Sequence, residues 1–480
     1  MSAAPSSPAR TAGSMAVLRR TARQLFVAQS GQRIFTIATM FLVARLLGVE
    51  RFGTYALLRT VMELVAVVSG SGTMDYVTRE VAKAPGASWK LLIRVTQVRW
   101  AYCVPTIGAA LLLLKAFHFP TSLVQNAALF SLMLFLRAAG ESAQGVLKGL
   151  GHFGILPWVE LLRGCVFLAL SPLLIFHGFG LQGVITAEII AVAVGAGISL
   201  VIVVRFANFH SQVVLGFRQV MASMFVFNVY PLISTLYDRI DVVLLSKLAG
   251  DFATGIYSLP YRAYSTLQII PYGVMGALLP GFSSSQVDRD ALERCARAMR
   301  FLYLIALLAV LIVVGFARPV FMLVLGPEYA ASAVTLKVLV CAAIPAFMNY
   351  ALNTLLLASH KEKVFVWTAT TCTVFNIGAN LLLIPRFSYM AAAVMTVLTE
   401  VLLLAQNCYL TKRYFGRPVL PDGWLKITLG FGASLAASLL LGRVLPEVWA
   451  GTLSCGAFAF FALLADRDVS KALAIAGRQP

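Results

Sequence analysis

The sequence predicts an all-α integral membrane protein of about fourteen transmembrane helices, set in two six-helix pseudo-symmetric lobes plus two C-terminal helices. Three observations predict it. Of 480 residues, 59% are hydrophobic and 12% charged, and the mean hydropathy is +0.84, far from the roughly half-apolar, quarter-charged mixture of soluble domains. The apolar residues fall in long runs rather than in the roughly ten-residue alternating segments of a membrane barrel. Finally, residues 44–57 (ARLLGVERFGTYAL) recur without a gap as residues 246–259 (SKLAGDFATGIYSL). Arg45, Leu46, Gly48, Gly53, Tyr55 and Leu57 fall on Lys247, Leu248, Gly250, Gly255, Tyr257 and Leu259, so the same bend between helices is expected in each half.

Taken in order, runs of about the length needed to span a bilayer lie at 25–47, 54–79, 92–114, 121–147, 153–176 and 180–204. A second set lies at 219–246, 254–282, 297–325, 331–358, 363–385 and 388–411, and two more at 423–441 and 446–465. The domain organisation expected from these runs is a disordered cytoplasmic tail over 1–24, an N-lobe over 25–206, a cytoplasmic connector over 207–218, a C-lobe over 219–411, and the last two helices with a C-terminal tail over 412–480. The repeat offset of 202 residues spans six helices. An even number puts both copies on the same side of the membrane, as in transporters built from parallel repeats around a central site. Pro231, Pro260, Pro271 and Pro280 remove backbone hydrogen bonds and are expected to bend the seventh and eighth helices.

The net charge of +19 does not point to nucleic acid, because its distribution follows topology. With the N-terminus inside, the cytoplasmic segments hold roughly 24 Lys and Arg against roughly 7 outside, the asymmetry of the positive-inside rule. Arg19, Arg20, Arg23, Lys83, Lys90, Arg294, Arg297, Arg300, Lys412, Arg413 and Arg417 carry it, and some of this charge would attract anionic membrane lipids. Seven dispersed cysteines without C-x-x-C pairing predict neither a disulfide framework nor a metal centre, and no cofactor is expected. Gly149 to Gly154 spells G-x-G-x-x-G, but it lies between two membrane helices and follows no strand, so it reads as a tight turn. There is no G-x-x-x-x-G-K-[ST] and no H-E-x-x-H, no catalytic residues are assigned, and the short loops leave no soluble catalytic module.

Ionisable residues at membrane depth are more informative, because they are costly beside lipid and usually face a cavity or a partner. They are Arg33, Arg59, Glu63, Arg137, Glu141, Glu160, Arg163, Glu188, Asp238, Arg239, Asp241, Arg262 and Glu400. Arg137 with Glu141 and Glu160 with Arg163 share helix faces and are expected to neutralise each other. Arg33, Arg239, Arg262, Asp238 and Asp241 are the candidate substrate-binding residues, a mixed-charge chamber with excess arginine. A guanidinium binds two oxygens of a phosphate or sugar acid through a planar fork. The carboxylates would order those arginines or bind a coupling cation, and a plain inter-helix salt-bridge lock is the competing reading. Asn376 and Asn380, one turn apart, are expected to hold helices together.

At Ala44, Arg45, Leu47, Gly48, Phe52, Gly53 and Tyr55 the sequence carries an A-R-x-L-G-x-x-x-F-G-x-Y pattern, followed by Gly72, Arg79 and Glu80. Arg239 and Asp241 with Leu245, Gly255 with Tyr257, Gly326 with Tyr329, and the N-x-x-x-N-L-x-L-I-P segment at Asn376, Asn380, Leu383, Ile384 and Pro385 follow in order. Over about residues 25–415 this resembles the polysaccharide-exporter branch (Wzx-type oligosaccharide flippases) of the MOP superfamily, which also holds MATE exporters and lipid II flippases. The sequence departs from the family where Ser388 and Ala391 occupy customary glycine positions.

The resemblance implies a two-lobed flippase of the bacterial inner membrane that turns an undecaprenyl-diphosphate-linked, anionic oligosaccharide outward by alternating access. The product would be a surface polysaccharide such as O-antigen lipopolysaccharide or exopolysaccharide, with H+ or Na+ as a possible coupling cation and a polysaccharide polymerase as a possible partner. The alternatives are a MATE-like antiporter of small cations, a membrane glycosyltransferase or polymerase, and a scaffold. Glu50, Asp251, Glu328 and Glu447 are isolated on short outer loops, which disfavours the enzyme.

Overall fold

A computed structural model describes residues 35–70, 73–207, 209, 216–282, 289–359, 362–417, 419–421 and 423–465. The N-terminal tail expected over 1–24 and Arg33 lie outside the described residues. Among those described the secondary structure is helical, without strands. The helices are α1 (Phe35–Leu47), α2 (Val49–Val68), α3 (Thr73–Lys83), α4 (Ser88–Ala116), α5 (Thr121–Gly149), α6 (Leu156–Leu174), α7 (Gly180–Phe206), α8 (Phe217–Leu267), α9 (Ile269–Phe282), α10 (Arg289–Val324), α11 (Ala330–Leu339), α12 (Ala343–Ala358), α13 (Glu362–Phe415), α14 (Trp424–Leu441) and α15 (Glu447–Ala465).

Among the described residues nine helical stretches are long and apolar enough to cross a membrane, with two shorter apolar helices beside them. Three of the nine are interrupted, at Gly178 in the stretch from α6 to α7, at Gly250 in α8 and at Ser388 in α13. Divided there, they give fourteen apolar segments among the described residues, and the protein is a multi-pass membrane protein. Pro231 and Pro260 lie within continuous helix in α8. α8 ends at Leu267 because Pro271 has no N–H for the Leu267 carbonyl.

Contacts divide the chain into two units, one of Met1–Leu47 with Leu58–Thr235 and the other of Gly48–Leu57 with Leu236–Pro480. In the first, α5 packs on α3, α4, and α7, and α6 packs on α7. The short α3 is amphipathic: Thr73, Tyr76, Val77 and Val81 are buried, whereas Arg79 and Lys83 point out beside Glu80. Val77 and Val81 press on Gly145 and Gly149 of α5; a methyl group would overlap Val81 at Gly149 and be tight against Val77 at Gly145.

The second unit contains the whole second copy of the repeat and residues Gly48–Leu57 of the first. Gly48 and Gly250, equivalent under the 202-residue offset, turn the chain at φ +76° and +84°, a conformation that costs glycine no strain. Five residues on in each copy, Gly53 and Gly255 make reciprocal contacts. A Cβ on Gly53 would overlap the Asp251 carbonyl, and one on Gly255 would overlap the Val49 carbonyl. Val49 and Asp251 are themselves equivalent under the offset, so the two copies meet about a local two-fold axis. Thr54 Oγ1 donates to Asp251 Oδ2 (2.7 Å) and Ser246 Oγ to Asp251 Oδ1 (3.1 Å), closing the junction. In the same unit α14 and α15 pack against α10, where Gly315 and Gly451 let two backbones approach.

Candidate functional site

Four of the five residues expected to bind substrate are described, and all lie on α8 in the second unit. Asp238 is exposed, Arg239 and Arg262 are half-buried, and Asp241 is buried at 4% exposure. The Arg239 guanidinium carbon stands 5.5 Å from the Tyr261 ring centroid, within the range where the ring quadrupole attracts a cation. Tyr257, Tyr261 and Tyr264 recur at i, i+4 and i+7 beyond Gly250 and therefore share a face. Their rings follow one another at 5.6 and 6.0 Å. Asp241 is held on both oxygens, by the Tyr257 hydroxyl on Oδ2 and by the Val242 N–H on Oδ1 (2.8 Å). Tyr257 also meets Thr396 Oγ1 at 3.1 Å, so Asp241 ties the two parts of α8 to α13, while Asp238 and Arg239 keep accessible surface.

Glu400 was read from sequence only as a group at membrane depth. It sits opposite this stretch: Tyr237 Oη donates to its Oε1 (3.1 Å) and Asn349 Nδ2 to its Oε2 (2.9 Å). Asn349 and Asn407 were not singled out by sequence, although Asn349 stands one turn from Asn353, the same spacing that marked Asn376 and Asn380. Asn380 Nδ2 donates to Asn376 Oδ1 (2.9 Å) and Asn376 Nδ2 to Thr399 Oγ1 (3.2 Å), joining the two parts of α13.

The first unit holds the other membrane-depth charges. Arg137 pairs with Glu141 at 2.6 Å and Arg163 with Glu160 at 2.7 Å, as their spacing suggested. Glu141 also receives Arg99 of α4 at 2.7 Å. Arg99 is 1% exposed; it stands inside the third apolar run and the same depth criterion would have found it. Arg59 joins Glu63 at 3.3 Å and Glu188 at 3.5 Å. A cavity of about 50 Å³ lies among Thr36, Thr39, Arg59, Glu160, Arg163 and Glu188. Each positive group named here has a carboxylate beside it: Arg99 braces α4 to α5 and Arg59 braces α2 to α7, while the Arg137 and Arg163 pairs lie within α5 and α6.

The fold is that of the MOP-superfamily transporters. The lipid II flippase MurJ in its inward closed conformation superposes with a TM-score of 0.75 at 12% identity, over 93% of this chain and 99% of that one. An inward-facing multidrug-resistance MATE transporter gives 0.65 at 14% identity, over 80% and 95%. A MOP-superfamily transporter from Pyrococcus furiosus, whose binding pocket is described as reversed in polarity, gives 0.55 at 14% identity, over 82% and 94%. No curated protein sequence matches. Residues 18–286 match the model of the family described as polysaccharide biosynthesis protein, and the chain belongs to that family.

Proposed function

We propose that the protein is a flippase that carries an undecaprenyl-diphosphate-linked oligosaccharide across the bacterial inner membrane for surface polysaccharide assembly. The single observation that carries this reading is the family match over residues 18–286. The likeness in fold to a lipid II flippase supports it. Arg33, Arg239 and Arg262 contact the anionic diphosphate and sugar acids, Asp238 and Asp241 position them, and the lipid tail stays in the bilayer while the lobes alternate in access. The N-terminus is cytoplasmic, a monovalent cation couples the cycle, and a polymerase takes the product outside. No step of this cycle makes or breaks a covalent bond, so the protein is a transporter and not an enzyme.

Deleting the gene tests this. Mass spectrometry of extracted lipids is expected to show a complete lipid-linked repeat unit accumulating as the surface polymer disappears; an intact polymer without accumulation would reject the glycan assignment. In complementation, Arg239→Ala is expected to lower surface polymer by roughly 10–100-fold, the worth of a charge-assisted hydrogen bond of about 1.5–3 kcal/mol. Arg239→Lys, which keeps the charge but loses the fork, is expected to fall between. The second reading, a MATE-like antiporter, is favoured by the shared fold. It predicts that Arg239→Ala abolishes efflux of small organic cations and leaves the polymer unchanged.

A further inference from the structure

The cavity in the first unit has a floor and a mouth of different chemistry. Thr39 and Met40 of α1, Phe167 of α6 and Val192 of α7 close its floor, each at most 8% exposed. Thr36, one turn back on α1, and Arg163 of α6, whose side chain is 39% exposed, stand at the opening. An arginine at membrane depth keeps that much accessible surface where it faces water rather than lipid, so the cavity opens to water. At about 50 Å³ it holds about three to five waters, the footprint of the hydroxyl-bearing edge of one pyranose ring.

The lining carries both signs in balance. Arg59 of α2 stands 3.5 Å from Glu188 of α7, and Arg163 stands 2.7 Å from Glu160, which also accepts from Gln144 Nε2 of α5 at 3.1 Å. A diphosphate or sugar acid brought here would meet two carboxylates, with Glu63 as a third behind Arg59 at 3.3 Å. A cation would meet two guanidinium groups. A hydrocarbon would strip these charges of water and give nothing in exchange. A neutral polyol suits them all, because each hydroxyl can donate to a carboxylate and accept from a guanidinium, and both groups have more hydrogen-bonding sites than one ion pair uses. The remaining wall is aromatic. The Phe35 ring lies against Gly164, where a Cβ would come within 2.9 Å of it, and Phe167 follows one turn on along α6. The face of an aromatic ring is negative and receives the C–H face that a pyranose presents beside its hydroxyls.

We infer that this cavity is a sugar subsite that takes one uncharged pyranose by its hydroxyls. Resting on the flippase reading, it divides the headgroup by chemistry: a neutral sugar goes to the charge-balanced cavity of the first unit, and the anionic groups to the arginines of α8. The two ion pairs then act in recognition as well as in packing, holding their hydrogen-bonding atoms in place before the sugar arrives.

Native mass spectrometry of the full chain in detergent micelles tests this with two probes, the lipid-linked oligosaccharide extracted from the deletion strain and undecaprenyl diphosphate without sugars. Glu188→Gln, which leaves Arg59 its ion pair with Glu63, is expected to weaken binding of the sugar-bearing lipid by about tenfold and that of the bare lipid not at all. Val192→Phe, which fills the cavity and keeps every ion pair, is expected to do the same. Arg239→Ala is expected to weaken both lipids. Retained affinity for the bare lipid shows that a variant is folded. If Glu188→Gln and Val192→Phe bind both lipids as the wild type does, the cavity holds water only and the subsite is overturned. If they weaken both lipids alike, the cavity serves to brace the fold, which overturns it as well. A wild type that binds neither lipid would overturn the flippase reading, and the subsite with it.

Discussion

Ser388 adopts φ +51° and ψ −137° in the break that divides α13, a region that side chains reach at a cost of about 1–3 kcal/mol. It stands where the family pattern has glycine, so the departure noted in the sequence is a strained turn carried by the wrong residue type. Ser388→Gly is expected to stabilise the protein by about 1 kcal/mol, seen as a higher apparent melting temperature in detergent; an unchanged or lower one would mean the strain is compensated locally. Arg99 makes the opposite case. With its side chain 2% exposed, it depends on Glu141 at 2.7 Å, and Glu141→Gln leaves a guanidinium buried without a counter-ion. A loss of about 3 kcal/mol is expected, recovered in large part by adding Arg99→Met. If the single variant melts like the wild type, the pair is not structural.

At the scale of elements, the close meeting of the two repeat copies depends on what their glycines lack. The Cα–H of Gly53 points at the Asp251 carbonyl and that of Gly255 at the Val49 carbonyl, the geometry of weak Cα–H···O contacts between closely packed helices. Either glycine replaced by alanine must push two backbones apart, at a cost of about 1–3 kcal/mol as for other overpacked sites. Gly53→Ala and Gly255→Ala are expected to lower the melting temperature by similar amounts, because the contact is symmetric. The double variant is expected to cost less than their sum, because both deform the same junction. Additive losses would show two independent contacts. The exposed Gly86, against which nothing packs, serves as the control.

For the whole molecule the testable statement is topological. Counting fourteen segments from a cytoplasmic N-terminus puts Glu50 on the outer face and Lys412 on the inner, and both are exposed. In a background with Cys165 replaced by alanine, a membrane-impermeant thiol reagent is expected to label Glu50→Cys in intact spheroplasts and Lys412→Cys only after permeabilisation. The reverse pattern would invert the orientation and with it the direction of transport.

Run length, composition and the 44–57 repeat were enough to specify a helical membrane fold with fourteen apolar segments, because the hydrocarbon core imposes a length and an internally satisfied backbone on anything that crosses it. Glycine at positions 48 and 250 was legible for a similar reason, since a backbone rule acts on one residue at a time. The pairs Arg137–Glu141 and Arg163–Glu160 could be read from spacing, because helix geometry brings residues three or four apart together. Partners from separate helices could not. That Arg99 reaches Glu141, that Tyr257 closes on Asp241, and that Asn349 and Tyr237 converge on Glu400 depend on how helices distant in sequence pack. The sequence determined which segments cross and where charge enters the membrane; only the tertiary structure decided which of those charges are braced by an ionic partner and which, like Glu400, are held by neutral donors from other helices.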